Sequence, residues 1–407
     1  MAGRPQQRFV PLALSALAAL VLAPVGAAHA ESWCAQALTV HEWGVHVFGG
    51  DGARSSLLAG LPPWFHSSTS GGVASGPSVR DLPVDSGIRA LPVIHFYSPR
   101  NWQATVPVGV EVGFTGGPAS SWFPQVDLLR TAADANSADS QLARAKLLLA
   151  RLQRQGRMDA PPALPLDPTR QLVWNHLDLA PTPAHPPAAS TSAWVDEARK
   201  LDALWVNGGA ESERFLFYEA DTREREPLRL ARGTAWSADH RQYVLRNDGP
   251  QPVHDVFVVQ RDGGATFVVY VATLEAGKST DFVLEDHRVE PAGLRAATVD
   301  RLRQLLVEPD PKPAGDRTRE LQDCVMMRDP ALPFETAHGY RLFAPEVDLI
   351  LHTWGARFFE RPGTTIVYRE DTATLEAAMP LSIYTDMYNF VVLRRAGLAL
   401  WEAAALP

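Results

Sequence analysis

Lysine is almost missing from this chain of 407 residues: only Lys146, Lys200, Lys278 and Lys312 occur. With arginine added, 38 basic residues stand against 46 acidic ones, a net charge of −8. No tract concentrates cations as phosphate neutralisation requires, so nucleic acid is not an expected partner. Cysteine is just as scarce, at Cys34 and Cys324. Neither has a histidine or a helix start beside it, so a thiol nucleophile has no support. The chain also lacks a G-x-S-x-G elbow, a GxGxxG or Walker loop, an EF-hand loop and an HExxH helix. No cofactor is therefore expected. Internal repeats are absent, and compositional bias is confined to proline-rich linkers.

Apolar residues are present in ordinary proportion, at 46%, which argues against long disorder. The 33 prolines and 29 glycines point to many turns and short strands rather than to a helical bundle. The first thirty residues have a different character. Arg4 and Arg8 precede an apolar run from Phe9 to Gly26, and Ala28-His29-Ala30 offers small residues at the two positions that a signal peptidase reads. The run is short and broken by Pro11 and Pro24, which suits a cleaved secretory signal better than a membrane anchor. Cleavage before Glu31 leaves 377 residues with 36 basic against 46 acidic, more than one core usually supports. A periplasmic or secreted location with no transmembrane segment after cleavage is the expectation. In an oxidising compartment Cys34 and Cys324 then most simply form one disulfide, the alternative being two separate buried thiols. Glu31-Ser32-Trp33 lacks the small apolar residues of a lipobox.

Along the chain, Leu38–Phe48 (L-T-V-H-E-W-G-V-H-V-F) reads as a strand. Its period of two puts His41, Trp43, Val45 and Val47 on one face, with Val40, Glu42, Gly44, His46 and Phe48 on the other. Residues 53–90 are rich in Ser, Gly and Pro and read as a long loop. Strands follow at 91–97 and 105–114, a helix at Gln141–Gln155, and strands at 172–179 and 213–219. Between 228 and 285, strand-like runs at 241–247, 253–260, 265–272 and 279–284 alternate with turn sequences, the spacing of an immunoglobulin-like antiparallel sandwich. The tail mixes a short helix near 299–306, a helix opened by Pro345, a strand at 364–369, a helix capped by Asp371 and a strand at 388–394. The expected architecture is mainly β with an α+β C-terminal part. Its divisions are a signal at 1–30, an N-terminal β-rich domain at 31–225, the sandwich at 226–290 and an α+β segment at 291–407.

His41-Glu42-Trp43-Gly44-Val45-His46 is the cluster richest in chemistry, because imidazole and carboxylate suit zinc or general acid/base work. On a strand, however, His41 and His46 project to opposite faces, and no metal is expected. His41, His46 and His95 are the ligands if one binds, and His41 with Glu42 are the catalytic candidates. His95 lies in an apolar strand, where a lone histidine is usually a hydrogen-bonded core residue. Trp43, Tyr97, Trp102 and Trp122 form a ligand platform if exposed and core if buried.

These segments together resemble a family of uncharacterised exported bacterial proteins. Its members open with a V-H-E-W-G-T-F-T-like strand, matched here by Val40–Val47. The likeness continues at Val93–Tyr97, at Gly116-Gly117 to Trp122-Phe123-Pro124, at Glu213–Tyr218, and at Thr353-Trp354 through Phe358-Phe359 and on to Met379. It spans nearly the whole mature chain but carries no assigned activity. Val45 and His46 stand where the pattern has Thr and Phe, so His46 is particular to this member. The function expected is that of a non-catalytic binding or structural protein of the envelope, with an envelope or extracellular ligand left unspecified. A metal-assisted or acid/base hydrolase using His41 and Glu42 is the alternative.

Overall fold

The first strand, Ala37–Phe48, lies beside the last, Phe390–Ala403, in parallel register from Ala37↔Phe390 to Phe48↔Trp401. A computed structural model describes residues 37–48, 62–67, 87–97, 105–114, 119–130, 171–190, 192–221, 224–309, 339–385 and 390–403. The signal at 1–30, Cys34, Cys324, Trp102 and the expected helix Gln141–Gln155 fall outside those residues.

The two terminal strands are central in a ten-stranded sheet. On one side the order runs from Phe390–Ala403 through Gly363–Glu370, Val253–Asp262 and Ala265–Leu274 to Arg288–Val289. On the other it runs from Ala37–Phe48 through Gly87–Tyr97, Leu216–Asp221 and Ala119–Phe123 to His66–Ser67. The chain is thus mainly β with several antiparallel sheets. The boundaries expected at 225/226 and 290/291 cut through this one sheet.

Both faces of the large sheet are covered, which explains why its central strands are apolar almost throughout. On one face, Trp43, Val45 and Val47 pack against Val347, Ile350, Trp354 and Phe358 of the Ala344–Phe359 helix. Those helical positions recur at three- and four-residue spacing, and Pro345 opens the helix as its sequence suggests. Leu302 and Leu306 of the Arg301–Leu306 helix join this core. On the opposite face, Leu38 and Val40 meet Val106, Trp174, Leu177 and Val206. These belong to a six-stranded sheet built around Val106–Gly113 and Gln171–Ala180. Further along that face, a three-stranded sheet of Leu228–Arg232, Gln242–Asn247 and Ser279–Val283 buries Tyr243, Leu245 and Phe282 against Val256, Val258 and Val269.

Three elements depart from the sequence reading. The last strand does not stop at Arg394 but runs to Ala403. Ala396-Gly397-Leu398-Ala399-Leu400 has weak intrinsic strand preference, and its ladders to Ala37–Phe48 and Gly363–Glu370 hold it extended. The loop expected over 53–90 ends early, because Gly87–Ala90 already pairs with Val45–Phe48. The helix at Arg301–Leu306 is preceded by a wider, π-type turn over Ala296–Asp300.

Trp43 is only 1% exposed and lies wholly in the helix-side core. Trp43→Ala is expected to cost about 3–5 kcal/mol through lost contacts and a residual cavity. Urea denaturation measures this, and a variant as stable as its parent would contradict the packing described.

Candidate functional site

The Ala37–Phe48 strand carries three polar side chains into the interior, and each meets a different partner set. His41 points at the helix side. Its Nδ1 lies 2.6 Å from Glu346 Oε2, and both side chains are fully buried. His95 is the direct cross-strand neighbour of His41, and its Nδ1 lies 3.2 Å from Glu346 Oε1, off the line of a hydrogen bond. Glu346 occupies the third position of the Ala344–Phe359 helix and also accepts the Phe343 backbone N–H at 3.1 Å. Half of a capping box is formed in this way, since Phe343 has no acceptor to complete it.

Burial by itself would raise the Glu346 carboxyl, but the His41 and His95 imidazoles beside it hold it well below the usual carboxylate range. An ionised Glu346 has no proton to give, so His41 Nδ1 is the donor and its Nε2 is left as the working nitrogen. Nearby, burial first and the Glu346 charge second push the Tyr97 hydroxyl well above its ordinary value, keeping it neutral. The Phe343 ring lies tilted against His41, with centroids 4.5 Å apart, and meets Tyr97 edge-on at 4.9 Å. At 37% exposure, Phe343 is the large hydrophobic side chain on the surface among the described residues. Arg394, paired in register with His41, donates to Glu308 at 2.8 Å.

Glu42 points the other way. It is 4% exposed and receives Arg395 from the adjacent parallel strand in a two-pronged pair, through Nε and through Nη2 at 3.1 Å from Oε1. The Tyr218 hydroxyl also donates to Glu42. Arg395 further reaches Glu376 Oε1 at 2.7 Å and the Met379 carbonyl at 2.9 Å. Burial disfavours the Arg395 charge, but Glu42 and then Glu376 overcome that, and the guanidinium is held charged above its usual range.

His46 shares the Glu42 face. Its Nδ1 is 3.2 Å from Glu370 Oε1 and 3.7 Å from Glu224 Oε2. Behind it, Glu226 accepts from the Leu228 backbone N–H at 2.8 Å and from the Tyr368 hydroxyl at 3.2 Å. Although the residue as a whole keeps some exposure, its carboxyl is enclosed, and burial pushes it up to about 8. On the Leu216–Asp221 strand, burial likewise takes Glu219 up to about 7.

Of the residues singled out in the sequence, His41 and His95 come together, and Tyr97 joins them. Glu42 and His46 lie across the sheet from that pair, each with its own partners. Among the described residues, no three His, Cys, Asp or Glu side chains converge to hold a metal ion. Trp43 and Trp122 are buried at 1% and 3% exposure, so neither offers a ring face as a ligand platform. Trp122 spends its indole N–H on Gln125 Oε1 at 3.1 Å. Glu346, Arg395, Glu370 and Tyr218 escaped sequence reading. Glu346 looks like any acidic residue in a first helical turn, and Arg395 like a charged strand end.

The His41–Glu346 pair is the orienting half of an acid/base dyad, with the carboxylate fixing the tautomer. Completing such a site takes a reacting group near Nε2. Among the described residues, no hydrogen-bond partner meets His41 Nε2 or His95 Nε2, and both rings are fully buried.

No family model and no curated protein matches this chain. Among solved structures it is similar to the Fcho1 Mu homology domain of Danio rerio with bound Eps15 peptide, at 10% identity and a TM-score of 0.27. That alignment covers 90% of this chain and 97% of the other. Among the described residues, no helix is long and apolar enough to cross a membrane.

Two measurements test these networks. Removing the Glu42 charge leaves Arg395 buried beside a neutral amide, so Glu42→Gln is expected to cost about 3–5 kcal/mol in chemical denaturation. A cost below about 1 kcal/mol would mean that the pair is solvated. Glu226 titrates near 8 when folded against an ordinary 4.5 when unfolded. Below pH 4.5 both states hold the proton and no penalty exists. Stability then falls as pH rises and the unfolded chain ionises first, levelling off above pH 8. The denaturation midpoint should decline between pH 5 and 9, and less steeply in Glu226→Gln. Parallel declines in parent and variant would contradict the assignment.

Proposed function

We propose that this is an exported, non-catalytic binding or structural protein of the envelope, with no cofactor. One observation carries the reading. Every side chain that could do acid/base or metal chemistry on the first strand (His41, Glu42 and His46) is buried and engaged by a distant segment of the chain. Such pairs fix the register of strands that meet only after the whole chain has been made.

Export rests on the segment 1–30, and the periplasm or extracellular space would also permit a disulfide between Cys34 and Cys324. The unit 226–290 is read as an immunoglobulin-like sandwich. In support, the three-stranded sheet packs on Val253–Asp262 and Ala265–Leu274 through one shared core. The hydrolase alternative has one observation in its favour, the unpartnered Nε2 of His41 oriented by Glu346. Glu42, across the sheet, takes no part in that geometry.

Metal analysis and peptide mapping of protein recovered from the periplasm test the proposal together. The expected results are no stoichiometric zinc, an N-terminus at Glu31 and a Cys34–Cys324 peptide under non-reducing conditions. Stoichiometric zinc that is lost in a folded His41→Ala variant would overturn the non-catalytic reading. Free thiols at both positions would remove the disulfide.

A further inference from the structure

Two irregularities of the backbone bring two arginines together on the helix side of the large sheet. In the Val253–Asp262 strand the register slips between His254 and Phe257, and Asp255 takes a positive φ of 52°. Asp is one of the few residues that tolerates this conformation, and a bulge of this kind re-aims a side chain. The second irregularity is the π-type turn Ala296–Asp300, which ends where Arg301 begins its helix. Such turns are frequent at functional sites.

The re-aimed Asp255 is 6% exposed and accepts from two donors. Arg369 Nε reaches its Oδ2 at 2.9 Å, and the Tyr270 hydroxyl donates to its Oδ1 at 3.0 Å. Two rings here each carry a guanidinium. The Arg369 Cζ lies 3.5 Å from the Tyr340 ring centre, and the Arg301 Cζ lies 3.7 Å from that of Tyr270. Stacking orients a guanidinium and leaves the N–H groups at its rim to bond in its plane. Among the described residues, Arg369 meets a carboxylate only through Nε, and Arg301 pairs with none. Neighbouring acids have other cations: Asp300 pairs with Arg295 at 3.2 Å and Asp371 with His254 at 3.0 Å. Two guanidiniums therefore share one carboxylate, a local excess of one positive charge in a chain of net charge −8. Arg301 is exposed and the Arg369 side chain keeps 9% exposure, so this excess meets solvent.

We propose that Arg301 and Arg369, joined through Tyr270 and Asp255, form a binding site for the carboxylate group of a ligand. A carboxylate is planar and singly charged, which matches both the fork of a guanidinium and the local excess of one. Asp255 opposes a second negative charge and so disfavours a phosphate dianion. The site lies apart from the buried pairs of the first strand, and its failure would leave the reading of those pairs intact.

Saturation-transfer NMR on the purified protein at neutral pH tests this, with sodium acetate as the probe and sodium chloride holding the ionic strength constant. Magnetisation is expected to pass from the protein to the acetate methyl protons, and a titration gives the apparent Kd. Arg301→Gln, at an exposed position, should leave the thermal midpoint in chloride unchanged and weaken binding roughly three- to tenfold. Arg301→Lys keeps the charge without the planar fork, and it too should bind acetate more weakly than the parent. No transfer to acetate in the parent, or an unchanged Kd in both variants, would overturn the proposal. Inorganic phosphate that displaces acetate at concentrations well below the acetate Kd would overturn the assignment to a carboxylate.

Discussion

The ion pair between Glu42 and Arg395 joins the first strand of the chain to the last, in the middle of the largest sheet. Much of the architecture follows from it. A parallel ladder gives no hairpin to set its register, so register must come from side chains. Slipping the ladder by one residue would turn Arg395 toward the helix and Glu42 away from it, stranding two charges in apolar surroundings. That penalty is far larger than a mismatched apolar contact would cost, and it specifies one alignment. On the other face His41 repeats the device with Glu346, which docks the first turn of the Ala344–Phe359 helix directly over the same strand.

Long-range closure has a kinetic consequence. The ladder pairs Ala37–Phe48 with Phe390–Ala403, so the sheet's centre cannot form before nearly the entire chain is available. Contacts of such sequence separation are paid for late in folding and make it slow. The export proposed above would deliver the chain unfolded and complete, an order of events compatible with such late closure.

Much of the strand layout was legible in the sequence, because β-branched residues and turn chemistry are local signals. Ala37–Phe48, Gln171–Ala180, Gly363–Glu370 and the four runs between 241 and 284 lie within a few residues of where pattern puts them. The two-faced division of His41 and Trp43 from Glu42 and His46 followed from period alone. The sheet itself was not legible. Val253–Asp262 pairs with its hairpin partner as expected, but its other edge takes Gly363–Glu370 from a segment that reads as a separate part. The polar partners stayed hidden for the same reason. Glu346, Glu370 and Arg395 lie 305, 324 and 353 residues from the side chains they hold. Alanine- and glycine-rich 395–400 hides a strand because its extended form depends on neighbours rather than on propensity.

The central claim is that the buried polar side chains of the first strand serve closure of the fold rather than chemistry. Native-state amide hydrogen exchange tests it most directly. If closure is their role, the amides of Val40–Trp43 and Leu393–Ala396 exchange only through global unfolding, with the highest protection in the chain. A functional strand that opens to admit a substrate would instead exchange through local opening, with protection well below the global free energy, and that result would contradict the account.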